Sequence, residues 1–282
     1  MRSVFYEDKE YYCTPEELET MEGGGVAVLT GRTAVDLSAY RKKLVLDNGS
    51  TVTYDKCLLA TGGTPKNLPV FENASELVQQ RVTLFRRTAD FRRLQEVAGT
   101  AKNIVVVGGG FLGSELAVAL ATKAKDSGST VTQVFPETGN LAKVLPEYLS
   151  QWTTRKVAEA GVTVVPETTV TKACPSDDGR VTLQLSSGGE LEADHVVVAV
   201  GLRPNTALAE RARLEVDPGK GGIVVNAELE ARTGLRKKKT RRKEEDEEED
   251  DEEEEEKRER ERERDKEQTE KETRLAGKNA TR

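Results

Sequence analysis

Gly108, Gly110 and Gly113 follow directly on the aliphatic run Ile104-Val105-Val106-Val107 and precede Leu116-Ala117-Val118-Ala119-Leu120-Ala121. In such a strand, turn and helix each glycine has a separate task. The first permits a tight turn, the second lets a pair of phosphates approach the backbone, and the third lets helix pack on strand. The helix mouth adds free amides and a partial positive charge. The chemistry this arrangement performs is capture of a dinucleotide's diphosphate, with a purely structural strand-to-helix turn as the alternative. Glu137, at the end of the next apolar run, is placed to accept from both hydroxyls of a ribose. It falls later than the usual spacing of about 20 residues because Thr122–Ser129 lengthens the helix and its loop. A solvated charge after Pro136 is the other reading of Glu137. An acid at this place repels a 2′-phosphate and favours NAD over NADP, a preference that Lys143 softens.

The elements that must hold these residues follow from pattern. Strands are expected at Val26–Leu29, Ala34–Leu37, Lys43–Leu46 and Thr51–Tyr54, with the hairpin turn Asp47-Asn48-Gly49 between the last two. Cys57–Ala60 reads as a buried strand ended by a turn at Thr61–Pro65. Residues 84–97 have apolar side chains at helical spacing. Thr130–Phe135, a helix at Leu145–Ala160 and a strand at Val162–Val165 complete two consecutive crossover units, and these require a parallel sheet. Thr168–Ala173 and Arg180–Leu185 form a hairpin, and His195–Val200 returns as an apolar strand. His195, the only histidine, reads as structural rather than as an acid or base, and Tyr148 and Trp152 read as core packing. Thr14-Pro15-Glu16-Glu17-Leu18 caps one short helix.

Several longer motifs are more specific than the glycines. Gly-Gly-Gly-Phe-Leu-Gly-Ser-Glu at 108–115, Phe-Pro-Glu at 135–137, Leu-Pro-Glu-Tyr-Leu at 145–149, Ala-Thr-Gly-Gly at 60–63 and Ala-Val-Gly-Leu-Arg-Pro-Asn at 199–205 stand in one chain. With Gly24–Gly31 they make residues 23–233 resemble the apoptosis-inducing factor family of mitochondrial FAD/NAD-dependent oxidoreductases. That resemblance implies an α/β fold in which a doubly wound NAD-binding domain (99–201) is inserted in a partial FAD-binding domain (23–98 and 202–235). Residues 1–22 stay unassigned and 236–282 form a low-complexity charged tail. It implies an enzyme that passes hydride from NADH to FAD, linked to mitochondrial function and apoptosis. By the same resemblance Gly108, Gly109, Gly110, Phe111, Leu112 and Gly113 hold the NAD diphosphate. Glu137 takes the adenosine ribose, Lys143 lies beside the nucleotide, and Gly201 approaches the nicotinamide end. Glu115 lies near the nicotinamide and flavin rings as the catalytic candidate, although helix capping alone also explains it. Ala34, Arg86, Thr61 and Gly62 belong to the FAD side, where a core alanine, a surface arginine and a structural turn are the bland readings.

Departures from the family pattern bear on the flavin. The family's first strand with its own G-x-G-x-x-G is expected upstream of Gly23, and a Gly-Asp motif is expected soon after Ala231, where the chain instead runs into Lys237-Lys238-Lys239. Impaired FAD binding is therefore expected, and a non-catalytic NAD-binding scaffold fragment with a charged interaction tail is the alternative. Of residues 236–282, 37 of 47 are charged, and 244–256 are all acidic, so this segment has no apolar surface with which to build a core. Residues 1–235 then hold 26 basic and 30 acidic side chains, a balance that argues against a polyanion-binding surface. The basic run Lys237–Lys243 argues the other way, for nuclear import and for nucleic acid, with the adjacent acids competing for it, and the charged tail as a whole is expected to recruit nuclear or basic-protein partners. A homodimer is a further expected association.

Three scattered cysteines without a CxxC pair speak against a dithiol and against a metal site. No run reaches the 18 or more apolar residues of a membrane span, and no targeting segment is evident at the start of the chain. The family resemblance implies the mitochondrial intermembrane space, with translocation to the nucleus.

Overall fold

The computed structural model describes residues 13, 14, 17, 18, 20 and 25–233, with backbone alone at 126 and 127. The charged tail at 236–282 and most of the N-terminal 22 residues lie outside this set. At the expected short helix, Thr14 and Glu17 cap each other. The Glu17 N–H donates to Thr14 Oγ1 at 3.2 Å and the Thr14 N–H to Glu17 Oε2 at 2.8 Å. The chain divides into two compact units, one of residues 1–208 with 218–222 and one of 209–217 with 223–282.

The first unit is built round a five-stranded parallel sheet. Its strands are β5 (Val82–Leu84), β6 (Asn103–Val107), β7 (Thr130–Val134), β8 (Val162–Val165) and β12 (His195–Val198), in the order β5-β12-β6-β7-β8. Ile104 to Val107 are at most 5% exposed, as expected of β-branched residues covered on both faces. Burying each such side chain stabilises the fold by about 1.5–3 kcal/mol. On one face lie the helices α3 (Thr88–Thr100), α4 (Phe111–Ser127) and α5 (Glu147–Glu159). Leu94, Ala98, Ala117, Leu120, Ala121, Ala124 and Val157 from these helices meet Ile104, Val106, Val131 and Val197 of the sheet. The opposite face is covered by an antiparallel meander of β9 (Val170–Pro175), β10 (Val181–Leu185) and β11 (Glu190–Ala193), together with α1 (Pro69–Glu72) and α2 (Glu76–Gln80). Phe71, Val78, Val181 and Leu183 pack there on Val105, Val107, Val134, Val196 and Val198. The α/β class and the two consecutive crossovers thus stand as expected.

A second antiparallel sheet joins β1 (Ala34–Ser38), β2 (Lys43–Leu46) and β3 (Thr51–Thr53). Its expected turn is present: Gly49 has φ +82° and its N–H donates to the Leu46 carbonyl at 2.9 Å. β4 (Gly63–Pro65) pairs with β13 (Leu202–Pro204), which brings the Thr61 turn to the chain segment beyond Gly201. The first unit extends into α6 (Ala207–Arg211). The second unit contains the isolated bridges Leu214–Thr233, Val216–Ile223 and Val225–Ala231.

Four local expectations are corrected. Among the described residues Val26–Leu29 makes only a parallel bridge between Ala27 and Cys13. Cys57–Ala60 has no ladder partner among the described residues, and Leu58 is 90% exposed. The helix expected from residue 84 starts at Thr88, because the Asp90 carboxylate accepts the N–H groups of Arg86 and Arg87 at 2.9 and 2.6 Å and fixes the turn there. Leu84 belongs to β5 instead. Tyr148 and Trp152 are 70% and 51% exposed, because they lie on the side of α5 opposite Ser150 and Val157, which face the core. Lys156 covers part of that surface, with Nζ 5.8 Å from the Trp152 ring centre.

Candidate dinucleotide site

The expected glycines stand at the carboxyl end of β6, beside the point where the chain order of the sheet reverses between β6 and β12. Open α/β sheets bind ligands at such a place. Gly108 has φ +126°, and a Cβ there would run into the carbonyl oxygen of Ala199. A Cβ on Gly109 would lie 2.6 Å from the Phe135 ring, and one on Gly113 would collide with the Gly108 carbonyl. Gly110 is different. It caps α4 with φ −77°, and a Cβ there would meet no atom within 4 Å. Three glycines therefore exist for close packing within the protein, and the middle one faces open space.

That space is a cavity of about 850 Å³. It is lined by Gly108, Gly109, Gly110, Phe111, Leu112, Glu137, Lys143, Gly201 and Arg86 among the expected residues, and by Pro65, Leu68, Phe85, Phe135 and Val198 among others. None of the amides of Gly109, Gly110, Phe111 and Leu112 donates to a protein acceptor among the described residues. Four donors at a helix mouth beside a side-chain-free glycine fit a diphosphate in size and in charge.

Glu137 is held by its backbone: its carbonyl accepts the Glu167 N–H at 2.9 Å, while the Thr168 N–H donates to the Phe135 carbonyl at 3.0 Å. Its carboxylate is ion-paired with Lys143 Nζ, and the two side chains are 19% and 80% exposed. Both line the cavity, the acid shielded and the lysine at its solvent-exposed rim. Gly201, with φ +104°, lines the opposite end, and its carbonyl accepts the Lys66 N–H at 2.9 Å.

The remaining expected residues fall elsewhere. Gly113 is buried beneath the turn. Glu115 is exposed, outside the cavity lining and one turn into α4, beyond the first turn in which a carboxylate complements the dipole. Ala34 is half-buried in β1, paired with Leu46. Thr61 and Gly62 are exposed. The Thr61 hydroxyl donates to the Asn205 carbonyl at 2.6 Å, and Gly62 has φ +67°. Arg86 links these to the cavity, since a Cβ on Gly62 would lie 3.8 Å from Arg86 Nη2. A guanidinium over a glycine turn is compatible with a phosphate or another anionic group. His195 lies at the opposite end of its strand from the cavity, 3% exposed, with Nε2 2.8 Å from Thr83 Oγ1. Burial, helped by Arg93 and Arg81, pulls its pKa down to about 4, which suits a neutral structural imidazole.

Sequence reasoning did not find the polar side chains beneath the turn. Gln133 and Asn140 are 0% exposed, with Ser114 and Ser150 buried beside them; Gln133 and Ser114 donate to the carbonyls of Gly108 and Gly109, Asn140 donates to both of these side chains, and Ser150 donates to the Asn140 carbonyl. The available signal was a glutamine at the centre of an otherwise apolar strand and an asparagine next to Gly139.

Residues 3–235 match the model of a family described as pyridine nucleotide-disulphide oxidoreductase. The chain is 45% identical over 235 residues to a Drosophila melanogaster protein named for mitochondrial apoptosis-inducing factor 1, covering 83% of this chain and 32% of that protein. It is 41% identical over 203 residues to apoptosis-inducing factor 1, mitochondrial, of Dictyostelium discoideum, covering 71% and 37%. It therefore spans about a third of the length of these two relatives. Among solved structures, a covalent putidaredoxin reductase–putidaredoxin complex superposes with a TM-score of 0.64 at 29% identity, covering 79% of this chain and 51% of the other. A ferredoxin reductase from Rhodopseudomonas palustris gives 0.63 at 26%, covering 73% and 48%.

Proposed function

The chain belongs to the pyridine nucleotide-disulphide oxidoreductase family, and from that premise we propose that its cavity seats a nicotinamide dinucleotide, NAD rather than NADP, for hydride transfer to FAD. Members of the family are enzymes that work with FAD and a nicotinamide nucleotide. The observation that carries the reading is the set of four unclaimed amides at Gly109 to Leu112 on the lining of a cavity large enough for a dinucleotide. When bound, the nicotinamide supplies a hydride and the flavin accepts it.

The chain's own residues bind and orient. The Gly109–Leu112 amides hold the diphosphate, and the Glu137 carboxylate accepts from the ribose hydroxyls, with Lys143 moving aside. Phe85, Val198 and Leu202 keep water from the nicotinamide end. Gly201 keeps that end clear of side chains. Glu115 is the proposed group beside the rings, and its place beyond the first turn of α4 leaves helix capping a poorer account of it. Arg86, Ala34, Thr61 and Gly62 are proposed for the flavin side.

The proposed division into an FAD part (23–98 and 202–235) and an NAD part (99–201) carries one addition: β5 shares the sheet of the NAD part through β12. The mitochondrial names of the two relatives extend to this chain by proposal. Residence in the intermembrane space, passage to the nucleus, a homodimer, and nuclear, basic-protein or nucleic-acid partners of the tail are finer parts of the same proposal.

A second reading, an NAD-binding scaffold without flavin chemistry, is favoured by one observation. Ala34, Thr61 and Gly62 stand outside the cavity lining, and the nucleotide-side residues other than Gly113 and Glu115 line it. The purified chain distinguishes the two. Yellow flavin absorbance bleached by NADH supports the oxidoreductase, and a colourless protein that NADH protects against heat supports the scaffold. A melting temperature indifferent to saturating NADH overturns both.

A further inference from the structure

Building on the dinucleotide reading, we propose that Asn140 is a positioning residue: one buried amide that aims the backbone of the glycine turn at the cavity and ties it to the loop carrying Glu137 and Lys143. In a trans peptide unit the C=O and the following N–H point to opposite sides. The Gly108 carbonyl is drawn inward by Gln133 Nε2 at 2.9 Å, so the Gly109 N–H points outward. The Gly109 carbonyl is drawn inward by the Leu141 N–H at 2.7 Å and by Ser114 Oγ at 3.4 Å, so the Gly110 N–H points outward as well. Both side-chain donors are themselves oriented by Asn140. Its Nδ2 donates to Gln133 Oε1 at 2.9 Å, which leaves Gln133 only its Nε2 to present to Gly108. It also donates to Ser114 Oγ at 2.8 Å, so the serine gives its own proton to Gly109.

The main chain of Asn140 is fixed to α5. Its N–H donates to Thr154 Oγ1 at 2.8 Å and its carbonyl accepts from Ser150 Oγ at 2.7 Å. Gly139 permits this approach, since a Cβ there would lie 2.7 Å from Ser150 Oγ. Asn140 sits three residues from Glu137 and three from Lys143, and the adjoining Leu141 holds φ +59° to reach Gly109. One side chain therefore sets the register between the diphosphate grip and the ribose grip. Among the described residues Asn140 Oδ1 has no partner although it is buried, a cost that packing alone does not explain. Buried polar networks of this kind specify geometry.

The test uses NADH fluorescence titration of the full chain. Asn140→Ala and the isosteric Asn140→Asp, which replaces the two donors by an acceptor, are each expected to weaken NADH about tenfold, the size of one buried hydrogen bond. Val157→Ala, a core truncation in α5 away from the turn, serves as the control for general loosening and is expected to bind as the parent does. The loss caused by Glu137→Gln is expected to shrink in the Asn140→Ala background, because a positioning role makes the two sites non-additive. If Asn140→Ala does not fold, Asn140→Asp, with the same volume, carries the comparison. NADH affinity unchanged in these variants, or reduced equally by Val157→Ala, overturns the inference while leaving the dinucleotide reading in place. Failure of the parent chain itself to bind NADH brings down that reading and this inference together.

Discussion

Gly110 and Gly113 stand three residues apart, yet a methyl group is expected to act differently at each. At Gly110 the backbone is ordinary and the Cβ meets nothing within 4 Å, so Gly110→Ala is expected to change stability by no more than about 0.5 kcal/mol. The same methyl occupies the space proposed for the diphosphate, and NADH affinity is expected to fall at least about tenfold. At Gly113 the Cβ strikes the Gly108 carbonyl, so Gly113→Ala is expected to cost about 1–3 kcal/mol and to impair binding as a consequence. Urea titration and NADH titration of the two variants separate these outcomes, and equal damage at both positions would contradict the site. The spacing announced three separate roles for the glycines; the positive φ of Gly108 agrees with its turn role, and the close contact of Gly113 with its packing role. What spacing could not announce is the ion pair between Glu137 and Lys143. Both residues were expected near the nucleotide, but their mutual contact depends on a turn through Gly139 and Leu141 that no local pattern encodes.

Among the elements, β5 and β12 are fastened by the Thr83–His195 hydrogen bond within the core. The folded imidazole is pulled down to about 4 from an ordinary value of 6.5. The unfolded chain therefore binds a proton that the folded one refuses, and stability is fully present above pH 6.5 and falls as pH drops toward 4. The loss is about 3 kcal/mol across that window, by the linkage of about 1.4 kcal/mol per pKa unit. His195 is the only histidine, and Glu192 and Asp178, whose pKa values are lowered by hydrogen bonds from Thr182 and Arg180 respectively, act below the ordinary carboxylate range. Urea midpoints measured from pH 7 to pH 5 should thus decline in the parent and stay nearly flat in His195→Gln; a decline of equal size in the variant would refute the assignment. The parallel strands were legible from their unbroken aliphatic runs, and the helix after them from its Ala/Leu stretch. Leu84 was not, because three residues of strand and the start of a helix share one apolar spacing until Asp90 caps the backbone.

For the whole molecule, a ligand that binds only the folded state stabilises it by about 2.7 kcal/mol at a concentration 100 times its Kd. NADH is expected to raise the urea midpoint of the full chain accordingly, and Gly110→Ala, with its affinity at least about tenfold weaker, is expected to cut the gain to about 1.4 kcal/mol or less at the same concentration. A midpoint in the parent that ignores NADH would contradict the proposed ligand. The aliphatic runs, the glycine spacing and the hairpin turn are properties of neighbouring residues, because backbone conformation and burial periodicity act over a few positions, and the amino-acid order alone settled them. Pairing of β4 with β13, the seat of β5 beside β12, the outward face of Trp152 and the amide network under the turn were decided only in three dimensions. Each joins groups that meet by chain crossing or by the rotation of a helix about its axis. Whether a polar side chain such as Asn140 lies in water or beneath the glycine turn is set by what the distant chain brings to cover it.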